Sequence, residues 1–82
     1  MQVDLLGPLG RVLREAREAA EATQLDIASR AGVSQQVVSR LELGERWPEI
    51  GPDRLIDAYA TECGTNSLEL WERAIRLAGS EG

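Results

Sequence analysis

Residues 23–48, TQLDIASRAGVSQQVVSRLELGERWP, decide how this chain folds. Thr23 followed by Asp26 three residues on is a capping-box pattern, with aspartate a weaker reciprocal partner than glutamate. It opens a helix whose apolar contacts are Leu25, Ile27, Ala28 and Ala31. Gly32 fits the left-handed position that ends a helix. Ser34 is a good N-cap for the next one, which holds Gln35 to Leu43 and stops at Gly44. Glu45 to Gly51, with Arg46, Trp47 and Pro48, reads as a loop.

Two short helices are therefore joined by Gly32-Val33-Ser34. The glycine permits a sharp turn, Val33 plugs the space between the helices, and Ser34 restarts the chain. That is the layout of a helix-turn-helix, here at about residues 23–44. In the second helix Val38 and Leu41 point inward with Val33, while Gln35, Gln36, Ser39 and Arg40 point outward. All four outward side chains can hydrogen-bond base edges: glutamine pairs with adenine N6 and N7, and arginine with guanine O6 and N7. Two readings are open. The set is either a solvated polar face or a base-reading surface, and its place at the start of the helix after a tight turn weighs toward the second.

The flanking segments are helical too. After Gly7-Pro8, apolar residues at Leu9, Val12, Leu13, Ala16 and Ala20 form one stripe, opposite Arg11, Arg14, Glu15, Glu18 and Glu21. This predicts a helix over about 8–22, with Pro8 at its first position. Pro52 begins another, carrying Leu55, Ile56, Tyr59 and Cys63 and ended by Gly64. Asn66 and Glu69 form a second capping box before a last helix over about 67–78. No segment has strand periodicity. The expected fold is all-α: a compact five-helix domain over 1–82.

Length and composition narrow the function. At 82 residues there is room for one small domain. One cysteine and no histidine exclude an intrachain disulfide and a Cys/His metal site, and no cofactor is implied. Without histidine, a metal set or a phosphate-binding glycine loop, and with Cys63 lacking an activating base, an enzyme is the weakest option. No apolar run approaches the roughly 18–20 residues that span a membrane. The start, Met1-Gln2-Val3-Asp4, does not resemble a secretory signal, so the expected location is cytoplasmic.

The formal net charge is −5, unfavourable for a protein that coats nucleic acid through bulk positive charge. The deficit is uneven. Residues 24–46 hold three arginines and three acids, whereas residues 47–82 hold three arginines and seven acids.

The 23–48 stretch resembles the helix-turn-helix of the phage repressor/Cro-type, or XRE, family of transcriptional regulators. Gln24, Ile27-Ala28, Ala31-Gly32-Val33-Ser34, Val38, Leu41-Glu42, Gly44 and Pro48 carry the resemblance. The five-helix layout extends it over about 8–78, a lambda repressor-like fold. The resemblance implies sequence-specific DNA binding by a homodimer on a palindromic operator. It implies base contacts from Gln35, Gln36, Ser39 and Arg40. Gln24 is implied to contact a phosphate and brace the recognition helix, and Arg46 to contact a phosphate. Arg17 and Glu42 are implied to form a buried ion pair tying the first helix to the third. Glu45 and Leu43 depart from the family pattern, and Val37 leans outward, either toward a thymine methyl or into a gap. Trp47 either caps the core beneath the loop or contacts DNA or a partner subunit.

The last helix is apolar over an unusually wide arc. Leu68, Trp71, Ile75 and Ala78 follow one stripe; Leu70, Ala74 and Leu77 follow another. Leu68, Leu70, Trp71, Ala74, Ile75 and Leu77 are the expected dimer surface, unless both stripes serve a single core. A second reading is a protein-interaction module, as in antitoxins of this family, with the acidic C-terminal third facing a protein partner.

Overall fold

In a computed structural model, which describes residues 4–81, five helices follow one another: α1 Leu6–Ala19, α2 Gln24–Ala31, α3 Gln35–Glu42, α4 Pro52–Cys63 and α5 Ser67–Glu81. No strand occurs among the described residues. The first three residues of the Met1-Gln2-Val3-Asp4 start lie outside them.

The boundaries of α1 differ from expectation at both ends. It begins two residues before Pro8, because the Asp4 carboxylate accepts the Leu6 N–H at 2.9 Å. That bond satisfies a donor every helix start leaves open. It ends at Ala19 and not near residue 22. The Arg17 carbonyl accepts both the Ala20 N–H (3.2 Å) and the Ala22 N–H (3.1 Å), and Glu21 turns to φ 58°. α5 runs past residue 78 to Glu81, its later turns lying along α1 where Arg76, Leu77 and Ser80 share a groove with Val12 and Glu15. Its start is half of the expected capping box. Asn66 Oδ1 accepts the Glu69 N–H at 2.8 Å, but the Glu69 carboxylate takes the Thr65 hydroxyl at 2.6 Å.

The core is built from all five helices. Leu9 and Leu13 of α1, Ile27 of α2, Val38 and Leu41 of α3, Leu55, Ile56 and Tyr59 of α4, and Leu70 of α5 are fully buried. Burying one such leucine, isoleucine or valine contributes about 1.5–3 kcal/mol. Val38 and Leu41 thereby fix which way α3 faces. Cys63 is half-buried against this core; burial pushes its thiol pKa up, and Glu62 adds to the effect. That thiol is poorly suited to nucleophilic work.

Gly10, to which the apolar spacing assigns no role, sets the distance between α1 and α3. A Cβ there would stand 2.4 Å from the Leu41 carbonyl oxygen and 2.8 Å from that of Glu42. Both are backbone atoms, so the helices would have to separate. Gly10→Ala gains up to about 1 kcal/mol of helix propensity. Overpacking costs about 1–3 kcal/mol, so a net loss of stability in thermal unfolding is expected. An unchanged or raised melting temperature would show that α3 can yield there without cost.

Candidate nucleic-acid interface

The turn between α2 and α3 is built as its residues dictate. Thr23 Oγ1 accepts the Asp26 N–H at 3.0 Å, and the Asp26 carboxylate accepts the Thr23 N–H at 2.9 Å, closing the capping box. The Thr23 backbone N–H, then its hydroxyl, hold the Asp26 carboxyl below its usual pKa. Gly32 adopts φ 72°, ψ 36°, and the next N–H, that of Val33, returns to the Ala28 carbonyl at 3.0 Å. A left-handed residue here favours glycine.

Ser34 is a correction. Its backbone is extended as an N-cap requires, yet its hydroxyl makes no capping bond. The Val37 N–H it would serve is taken by the Ser34 carbonyl at 3.1 Å.

On α3, Gln35, Gln36 and Arg40 are exposed and Ser39 is half-buried. These residues share the outward side of a helix whose inward side is sealed by Val38 and Leu41. Val37 packs against the core and lines a cleft of about 310 Å³ between α3 and the following loop. Val33, Trp47, Pro48 and Ile50 complete its apolar wall, with Arg40 and Arg46 among its polar lining. Arg46 reaches Glu49 at 3.2 Å in an exposed pair. Such a pair is worth about 0–1 kcal/mol and yields readily to a phosphate. Glu45 is exposed beside it.

Behind this face lies a buried polar cluster. Glu42 is the one buried charged residue among those described, 5% exposed. Arg17 Nε donates to Glu42 Oε2 at 2.7 Å and Arg17 Nη2 to Glu42 Oε1 at 2.8 Å, a bidentate pair between α1 and α3. The Tyr59 hydroxyl donates to Oε2 at 2.5 Å, and Gln24 Nε2 to Oε1 at 3.1 Å. Burial acts to raise the Glu42 pKa, but the bonds from Arg17, Tyr59 and Gln24 outweigh it, and the carboxyl sits below its ordinary value. The bond to Glu42 raises the Arg17 pKa; burial, then the bond to Glu42, push Tyr59 far above the usual phenol value. Gln24 continues the cluster outward, because its Oε1 accepts from Gln35 Nε2 at 3.5 Å, the long end of hydrogen bonding. Gln24 thus bridges the core and the exposed face of α3.

Tyr59 is the residue of this cluster that the sequence reading passed over, as one more apolar position of α4. A signal was present: a tyrosine on a buried stripe needs a partner for its hydroxyl, and so does a glutamate beside Leu41.

The six helix-5 residues separate. Leu70 and Ala74 are fully buried within one chain, so they leave the expected dimer surface: their side chains are already spent on the core. Trp71 and Leu77 are half-buried against that core, while Leu68 and Ile75 stand 65% and 56% exposed. Trp47 stacks on Trp71, ring centroids 6.5 Å apart and planes at 28°, tying the loop after α3 to α5. No helix among the described residues is long and apolar enough to cross a membrane, and no group of residues there is arranged to hold a metal ion.

Residues 8–79 match the helix-turn-helix domain family. The fold is similar to that of the clp gene regulator ClgR from C. glutamicum, with a TM-score of 0.72 and 27% identity over 95% of this chain and 94% of that one. It is also similar to that of a point mutant of the restriction–modification controller protein C.Esp1396I, with a TM-score of 0.70 and 19% identity over 92% and 96%. No curated protein matches the chain.

Proposed function

Because the chain belongs to the helix-turn-helix family of DNA-binding transcription regulators, we propose that it acts as a homodimer on a palindromic operator, with α3 in the major groove. The observation that carries the reading is the two-sidedness of α3: Val38 and Leu41 wholly buried, Gln35, Gln36 and Arg40 exposed at its opposite side. In this reading Gln35, Gln36, Ser39 and Arg40 meet base edges, and Gln24 and Arg46 meet phosphates. Half-sites lie about one helical turn, ~34 Å, apart. Leu68 and Ile75, with the outer edges of Trp71 and Leu77, pair two copies. The protein works as a cytoplasmic binder of DNA and not as a catalyst.

The bulk charge supports a narrow version of this function. At −5 overall, little non-specific attraction to phosphate is available. Affinity then rests on a few arginines and on doubling the reader.

Selection of bound duplexes from a random pool tests the reading directly; recovery of no preferred sequence overturns it and leaves the protein-interaction module. Once a site is known, Gln35→Ala and Arg40→Ala are each expected to cost about 1–3 kcal/mol and relax preference at one position per half-site. Arg46→Ala is expected to weaken all duplexes alike and to lower the slope of log K against log[salt] by nearly 1. Sequence preference unmoved by changes at 35, 36, 39 and 40 would remove α3 from the groove.

A further inference from the structure

We propose that the cleft between α3 and the loop after it binds a small aromatic carboxylate, and that its occupation takes Arg40 and Arg46 away from DNA. The second half rests on the DNA contacts proposed above for those two arginines; the first half does not.

The cleft holds about 310 Å³, at the lower end of the roughly 300–1,000 Å³ over which proteins hold small molecules. Its wall is apolar, and two of the side chains in it, Trp47 and Ile50, are large apolar residues left exposed. Trp47 leans on Trp71 with part of its ring and lines the cleft with the rest. A flat ring gains most against such a wall, because aromatic pairs contribute beyond the area they bury. The rim supplies the other half of the recognition. Arg40 and Arg46 line it with Glu49 as the one acid, a local excess of positive charge in a chain of net −5. Ser34 lines it too, and its hydroxyl makes no capping bond, so a donor is available there. Glu49 already shows what Arg46 takes, since its carboxylate accepts from Arg46 Nη2 at 3.2 Å. That pair is exposed and yields readily. An incoming carboxylate can replace Glu49, and an arginine fork holds it through two parallel N–H···O bonds. A bare phosphate would meet the same arginines but leave the apolar wall wet. An uncharged ring would cover the wall but leave the arginines to water. The cleft therefore fits an anion carried on a flat apolar body. Such a ligand and DNA need the same two guanidinium groups, so each weakens the binding of the other by the same factor.

The probe is sodium 1-naphthoate, with 1-naphthalenemethanol as its uncharged counterpart and sodium chloride at equal ionic strength as the salt control. Each is titrated into the protein alone and followed by tryptophan fluorescence and amide NMR shifts. Saturable binding of naphthoate is expected, with the shifts centred on residues 33–50. The uncharged counterpart is expected to bind about tenfold more weakly, through loss of a charge-assisted hydrogen bond. Ile50→Asp sets an acid in the wall at an exposed position and is expected to weaken naphthoate about tenfold or more, with circular dichroism unchanged. Glu49→Gln frees Arg46 and is expected to tighten naphthoate about threefold. On a selected duplex, naphthoate at its own Kd is expected to raise the apparent Kd for DNA about twofold for each cleft that must empty. The site is overturned by the absence of saturable binding, which is also the outcome if a second copy of the chain covers the cleft. It is overturned as well by shifts centred elsewhere, by equal binding of the two probes, or by variants that leave naphthoate affinity unmoved. Binding without competition overturns the link to DNA. If selection from random duplexes returns no preferred sequence, the proposed function fails, while titration of the protein alone still decides the site.

Discussion

Replacing Glu42 by alanine is expected to destabilise the fold by about 3–5 kcal/mol, because it strands the Arg17 guanidinium and the Tyr59 hydroxyl without their acceptor. Stabilities of domains are about 5–15 kcal/mol in total, so the variant stands near the edge of folding. For a chain of this size each kcal/mol shifts the melting temperature by about 4–8 °C. Thermal and urea unfolding of purified protein measure it. A loss below about 1 kcal/mol would mean that Glu42 is solvated and that the cluster does not tie α1 to α3. Acid titration gives a second reading of the same group. Its folded pKa is held below the unfolded carboxylate value of about 4.3, so the folded state binds fewer protons. The stabilisation is fully present above that value and is lost as pH falls through the folded pKa. The acid limb of the stability profile is expected to flatten in a variant that combines Arg17→Met, Glu42→Leu and Tyr59→Phe.

Leu70→Ala and Leu68→Ala, two positions apart on α5, are expected to behave oppositely. Leu70 is fully buried, and truncating it leaves a cavity among α5 and its neighbours that costs about 2–5 kcal/mol. Leu68 is 65% exposed, and its truncation is expected to change the stability of a single chain by less than about 0.5 kcal/mol. Its effect is expected on the proposed self-association. Leu68→Glu and Ile75→Glu are expected to shift the solution mass toward monomer without unfolding, as read by sedimentation and circular dichroism. A dimer that persists through both changes places the interface elsewhere. Equal costs for the two alanine variants would contradict the division of α5 into an inner and an outer stripe.

Much of this molecule was legible before its fold. Local grammar is strong where the signal lies within four residues: Thr23 with Asp26, Gly32 in its left-handed turn, Gly64 ending α4. Periodicity then placed five helices and turned Val38 and Leu41 inward. The same grammar misplaced the ends of α1, because Asp4 and the Arg17 carbonyl compete with Pro8 and the alanine run in ways spacing does not encode. It also credited Ser34 with a cap that its own carbonyl pre-empts.

By itself, then, the sequence determined the helix order, the sharp turn before α3 and the polarity of α3, since each follows from forces between near neighbours. The tertiary structure alone decided the rest. It chose which stripe of α5 is core, because apolar side chains are indifferent to partner and only the positions of α1 and α4, against which α5 packs, select Leu70 over Leu68. It gave Gly10 its role, through the approach of a backbone 31 residues on. It also brought Tyr59 and Gln24 to the same carboxylate, from 17 residues after Glu42 and 18 residues before it. A buried charge must collect its hydrogen bonds from whatever elements surround it, and those elements are neighbours only once the chain has folded.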